Sequence, residues 1–312
     1  SRLAGAISLT SEIIMYLPRY LSSILESALL LLAMFSSVAS LIGATFYVDP
    51  NGDDSNGGGI DHPFATIQRT QDALGPGDTV LIRGGTYHMQ EAQIAQQVGP
   101  YACVTFLDRS GAQGKPIRYW AYPGERPIFD FSKVKPEGRR VEAFRIEGSW
   151  LHLKGIEVIG VQVTILTHTQ SICFDNQGSD NIYEQLNMHD GMAIGLWIGN
   201  GSNNLVLNCD AYRNHDNISE NQRGSNVDGF GYHGPKGSVN NVFRGCRAWF
   251  NSDDGYDFIN SSEAARIENC WAFYNGFSTN FESLGDGNGF KAAGEAGKSV
   301  EALPDPLPRH DS

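Results

Sequence analysis

One phrase recurs through this chain and restricts its fold more than any other feature. It reads Cys209-Asp-Ala-Tyr-Arg-Asn214, then Cys246-Arg-Ala-Trp-Phe-Asn251, then Cys270-Trp-Ala-Phe-Tyr-Asn275. A second phrase precedes it: Gly201-Ser-Asn-Asn-Leu-Val-Leu-Asn208, Gly237-Ser-Val-Asn-Asn-Val-Phe-Arg244 and Ala265-Arg-Ile-Glu-Asn269, with an earlier echo at Gly178-Ser-Asp-Asn-Ile-Tyr-Glu-Gln-Leu-Asn187. The step from 178 to 201 is 23 residues, from 246 to 270 it is 24, and from 209 to 246 it is 37. Self-similarity at such periods marks a solenoid or a propeller. Short apolar segments between Gly and Asn turns, with no helical periodicity, favour an all-β parallel β-helix. A propeller needs roughly 40–45 residues and four strands per repeat. Stacked Asn214, Asn251 and Asn275 would satisfy one another at a turn, and the cysteines would form an inward stack of small apolar groups. The long step places an insertion, about 215–226, on one face, where such insertions often mark a binding surface.

That insertion leads into a second recurring pattern. Asn226-Val-Asp-Gly-Phe-Gly231, Ser252-Asp-Asp-Gly-Tyr-Asp257 and Gly287-Asn-Gly-Phe-Lys291 share an acid or amide, a glycine, an aromatic and a variable residue. On successive turns of a coil, Asp228, Asp254 and Asn288 form one column, and Gly231, Asp257 and Lys291 the next. Neighbours in a column lie about 4.8 Å apart, the strand spacing. Asp-Gly is also an ordinary turn dipeptide, and a lysine among acids is also an ordinary ion pair. Against the turn reading stands the accumulation of Asp228, Asp253, Asp254 and Asp257 on two adjacent turns. Like charges this close destabilise one another unless a cation or protons intervene, and carboxylates suit a hard cation such as calcium.

The rest of the chain reads as scaffold. Its 312 residues suffice for one large domain. Its 23 basic and 35 acidic residues give a net charge of −12, which disfavours a nucleic-acid partner. An acidic sugar polymer then needs local bases or a bridging cation, and Lys236, Arg244, Arg247 and Arg266 are candidate contacts, although surface charge is their plainer role. The five cysteines include no CxxC pair, so neither a disulfide framework nor a zinc ribbon is indicated. Residues 1–44 combine Arg19, the apolar run Ser27-Ala-Leu-Leu-Leu-Leu-Ala-Met-Phe35 and small residues, the composition of a secretion signal or an N-terminal anchor. The protein is therefore expected to be secreted, with a membrane partner only if that segment is retained. The loop 53–61 resembles a calcium loop in composition only. Pro63, Phe64, Ile67 and Leu74 predict a short helix that caps the first turn of the coil. The domain is expected over 45–295, followed by an irregular tail, 296–312, whose three prolines forbid regular strands.

The acid and lysine patterns, within a likeness spanning roughly 46–294, resemble the pectate lyases of polysaccharide lyase family 9. The resemblance implies a right-handed parallel β-helix that is secreted and cleaves polygalacturonate or a rhamnogalacturonan backbone by calcium-dependent β-elimination. It assigns Asp228, Asp253, Asp254 and Asp257 to calcium and Lys291 to the base. In that family the coil continues past the lysine, so the chain is expected to be truncated at its C-terminus. Two other readings remain. A polygalacturonase-type hydrolase would use paired acids, here Asp228 with Asp253 and Asp254, as general acid and base. A non-catalytic β-helix would only bind polysaccharide.

Overall fold

The computed structural model describes residues 43–167, 170–218 and 224–292. The expected leader, apart from Gly43 and Ala44, and the expected tail lie outside these residues, so neither is addressed below. None of the described helices is long and apolar enough to cross a membrane.

The described chain winds as a parallel β-helix with three faces. One turn of the coil runs Ile182–Glu184 on the first face, Asn187–His189 on the second and Ile194–Ile198 on the third. The next runs Leu205–Leu207, Asp210–Tyr212 and Phe230–Tyr232. Asn241–Arg244, Arg247–Trp249 and Tyr256–Phe258 follow, then Ala265–Glu268, Trp271–Phe273 and Phe290–Ala292. These stack into sheets of eight, seven and eight strands. Among the described strands, pairing is parallel except where Gln96–Val98 meets Tyr101–Leu107.

Local chemistry explains the corners. Between the first and second faces the backbone enters the left-handed region at Gln185, Asn208, Gly245 and Asn269. Glycine carries no penalty there and asparagine a small one, which accounts for the recurring Gly or Asn before each cysteine. After the second face, Asn214 Nδ2 donates to Asn251 Oδ1 at 3.1 Å, and Asn251 Nδ2 donates to Asn275 Oδ1 at 3.1 Å. All three asparagines are buried, and each such bond contributes on the order of 1 kcal/mol. A matching ladder joins Asn204 Nδ2 to Asn241 Oδ1 at 3.0 Å. Cys209 and Cys246 are buried, Cys270 is partly so, and all five cysteines are free thiols. The interior is filled by stacked aromatics such as Phe144 on Phe174 at 4.8 Å and Phe230 on Tyr256 at 5.1 Å.

The entry differs from the sequence expectation in one respect. The helix is only Ile67–Thr70, with Thr66 as its N-cap. Pro63 and Phe64 are not helical: Phe64 N donates to Tyr47 O, and Asp49 N donates to Phe64 O. Extending the first strand's hydrogen bonding outweighs proline's preference for a helix start. Asp54 in the acidic loop is spent on the same cap, accepting from Ala65 N, Thr66 N and Thr66 Oγ1 at 2.8–2.9 Å. The second face begins with Gly85–His88.

Candidate active site

The loops between the second and third faces hold the acids. Two of these connections are long, 213–229 and 274–289, and they lie one coil turn to either side of the short connection that carries Asp253 and Asp254. Strand register sets one column and hydrogen bonds the other. Gly231 pairs with Asp257, and Asp257 pairs with Lys291. In the other column Asp254 N donates to Asp228 Oδ1 at 3.1 Å, and Asn288 N donates to Asp254 Oδ1 at 2.7 Å.

The four aspartates do not form one group. Asp228, Asp254 and Asp257 bring ligating oxygens within 4.8 Å of one another. Asp253 belongs with Asp254 and Asp286 instead. Its two oxygens accept from Asn226 N at 2.6 Å and Asp286 N at 2.8 Å, so it ties both long loops to the coil. Asp254 is shared by the two groups and is fully buried. The described part of the insertion follows this tie: Ser252 Oγ donates to Gly224 O at 2.7 Å.

Lys291 closes the cluster. Its Nζ lies 3.0 Å from Asp254 Oδ2 and 3.4 Å from Asp286 Oδ2, with 28% of the side chain exposed. Burial, then the charges of Asp257, Asp253 and Asp254, push Asp228 well above the usual carboxylate range. Burial lifts Asp257 to about 6 against the pull of Lys291, and burial also raises Asp253. Burial lowers Lys291, but the ion pair with Asp254 and the charges of Asp257 and Asp253 outweigh it and hold the ammonium above an ordinary lysine.

These residues fit a hard divalent cation. Asp228 is 2% exposed, and among the described residues its carboxylate accepts from one backbone N–H. Three facing carboxylates against a single ammonium leave negative charge that burial penalises, and an all-oxygen set matches calcium chemistry.

Sequence reasoning did not single out Asp286, Trp197 or His233. Trp197 pairs with Gly231 on the third face, in the column of Asp257 and Lys291, and its ring lies 4.2 Å from that of His233. Burial, then the charge of Lys291, pushes His233 down to about 4. Column position on the third sheet was the available signal for Trp197. For Asp286 the signal was its place in the last long loop.

The basic candidates stand elsewhere. Arg244 and Arg266 lie on the first face, both paired with Glu268. Arg247 lies on the second face, paired with Asp210 at 2.5 Å. Lys236 lies in an exposed turn after Phe230–Tyr232. The structure brings none of the three arginines to the acid cluster, because the strand that carries each belongs to another face.

Comparison with known proteins gives a consistent picture. Residues 46–306 match the family described as Pel9A-like, right handed beta helix region. Pectate lyase L of Dickeya chrysanthemi is 39% identical over 257 residues, covering 80% of this chain and 55% of that protein. Pectate lyase PEL9 of Emericella nidulans is 31% identical, covering 84% of this chain and 64% of that protein. A solved rhamnogalacturonan lyase superposes with a TM-score of 0.82 at 48% identity, over 86% of this chain and 66% of that one. The crystal structure of pectate lyase Pel9A superposes with a TM-score of 0.64 at 34% identity, over 81% of this chain and 60% of that one. The chain thus spans about 55–66% of the length of these relatives. From its right-handed parallel coil and this match, the chain belongs to the Pel9A-like β-helix family.

Proposed function

We propose that this chain is the β-helical part of a polysaccharide lyase that cleaves an acidic pectic polysaccharide, polygalacturonate or a rhamnogalacturonan backbone, by calcium-dependent β-elimination. One observation carries the reading. Lys291 stands next to Asp257 in one column and within 3.0 Å of Asp254 in the other, so the one ammonium of the site is held against the acid cluster. The names of the relatives support the reaction class.

Asp228, Asp254 and Asp257 would hold the calcium, with Asp253 fixing the loops around them. Bound there, the ion would neutralise the carboxylates and the substrate's uronate, making the adjacent C5 proton more acidic. Lys291, deprotonated, takes that proton at Nζ. The electron pair left at C5 forms the C4–C5 double bond, the C4–O bond breaks with its pair going to the oxygen, and that oxygen takes a proton from water and departs as a hydroxyl of the sugar chain before it. In the metal-free protein the acids hold Lys291 protonated. Neutralising them releases that hold, and activity rises with pH into the alkaline range. Asp253 is unsuited to a hydrolytic acid pair, because both of its oxygens are engaged by backbone N–H groups.

Such a polymer lies outside the cell, and the reading places the protein there, which fractionation of the source cells checks. Mass spectrometry of the products tests the chemistry. Elimination leaves one fragment lighter by a water than its hydrolytic counterpart. Hydrolytic masses alone would refute the lyase reading.

A further inference from the structure

The third face presents one outward column through six turns of the coil. Arg145 pairs with Asp175, Asp175 with Trp197, Trp197 with Gly231, Gly231 with Asp257 and Asp257 with Lys291. Trp197 therefore stands two strands before Asp257, about 10 Å along the coil. Its indole does not stay over its own strand. A Cβ on Gly231 would overlap Cε3 and Cζ3 of Trp197, so the ring lies across the Gly231 strand towards the acid cluster. Gly199 leaves room at the other edge, since a Cβ there would fall 3.2 Å from the indole Nε1. Two glycines thus set the indole in place. The ring is partly exposed, and neutral His233 backs it at 4.2 Å.

This stretch of the column carries no available positive charge. Arg145 is paired with Glu142, Glu147 and Asp175. Lys291 is paired with Asp254 and Asp286. Asp175 adds a buried carboxylate beside the indole's strand. A sugar carboxylate placed on Trp197 would find no free cation among the described residues of the column. The C–H face of a neutral ring would find an apolar, flat partner.

We propose that Trp197, laid over Gly231, is the floor of a sugar subsite next to the acid cluster and takes a neutral sugar. It thereby favours a backbone in which uronate and neutral sugar alternate over one made of uronates alone. This rests on the lyase reading for the position of the uronate, but Trp197 is a binding residue and its role is read by affinity.

The test is calorimetric titration of the full chain carrying Lys291→Ala, with calcium present, so that binding is measured without turnover. The probes are oligosaccharides of alternating rhamnose and galacturonate, and oligogalacturonates of equal length. The alternating series should bind about ten-fold tighter, and Trp197→Ala should remove most of that preference with thermal stability retained. Trp197→Phe, which keeps a ring and is the safer variant to fold, should keep part of it. Equal affinities for the two series, or a preference unchanged in either variant, would overturn the proposal. With Lys291 in place, failure of both polymers to give unsaturated product would refute the lyase reading, while the affinity preference would still decide the subsite.

Discussion

Asp254 and Lys291 form the joint on which the candidate site turns. The carboxylate is fully buried, its Oδ1 accepts from the backbone N and the side-chain Nδ2 of Asn288, and its Oδ2 faces Lys291 Nζ at 3.0 Å. It is also the one acid shared by both acidic groups. A single side chain thus fixes the next turn of the coil, holds the ammonium and offers a ligand to a cation.

Replacing that acid separates binding from folding. Asp254→Asn keeps an acceptor for Asn288 while removing a charge from a repelling cluster. Calcium affinity measured by calorimetry should fall by at least ten-fold. In chelator, the melting temperature should stay level or rise. A large loss of stability in chelator would mean that the Lys291 pair, and not charge repulsion, dominates this cluster.

The middle of the coil should titrate. Burial and the charge of Asp175 raise Glu142 from an ordinary 4.5 to about 8. An acid whose folded pKa lies above its unfolded one binds its proton more tightly when folded. Its contribution to stability is therefore fully present below about 4.5 and is lost as pH rises towards 8. In chelator the melting temperature should decline across that window, and Glu142→Gln should flatten the decline. An equal slope in both proteins would contradict the assignment.

The amide ladder makes a purely structural prediction. Asn251 accepts from Asn214 and donates to Asn275 and to Ala211 O, all in the interior. Asn251→Ala leaves several buried polar groups unpaired at about 1–3 kcal/mol each. The denaturation midpoint should fall by an amount equivalent to about 3 kcal/mol. A change below about 0.5 kcal/mol would show that water replaces the ladder.

The arginines outside the third face should matter little to turnover. Arg244→Ala and Arg247→Ala break exposed pairs with Glu268 and Asp210, which solvent screens. Rates on either polymer should stay within about two-fold of the parent, a change of well under 1 kcal/mol. A ten-fold loss would place substrate on the first or second face.

Much of this was legible from residue order. The Cys-to-Asn phrase fixes the coil because an inward cysteine and a buried, laddered asparagine recur at constant offsets. The step from Asp257 to Lys291 could be read as a register because glycine and an aromatic precede each position. The division of the acids was not legible. Asp253 and Asp254 are neighbours in sequence, yet one carboxylate faces backbone N–H groups of the flanking loops and the other faces Lys291. That choice depends on loops whose paths no repeat encodes. The arginines were misleading for a related reason. The face each occupies is set by which strand carries it, and none of them stands opposite another in the coil. Pro63 carried a helix signal that strand pairing with Tyr47 overrode.

The most direct measurement is the ultraviolet absorbance of unsaturated uronide during incubation with polygalacturonate or rhamnogalacturonan in alkaline buffer, with calcium and with chelator, for the parent chain and for Lys291→Ala. We predict a rise on at least one polymer that needs calcium and is lost in the variant. A rise that persists in chelator would contradict the role given to the acid cluster, and one that persists in Lys291→Ala would contradict the role given to the lysine.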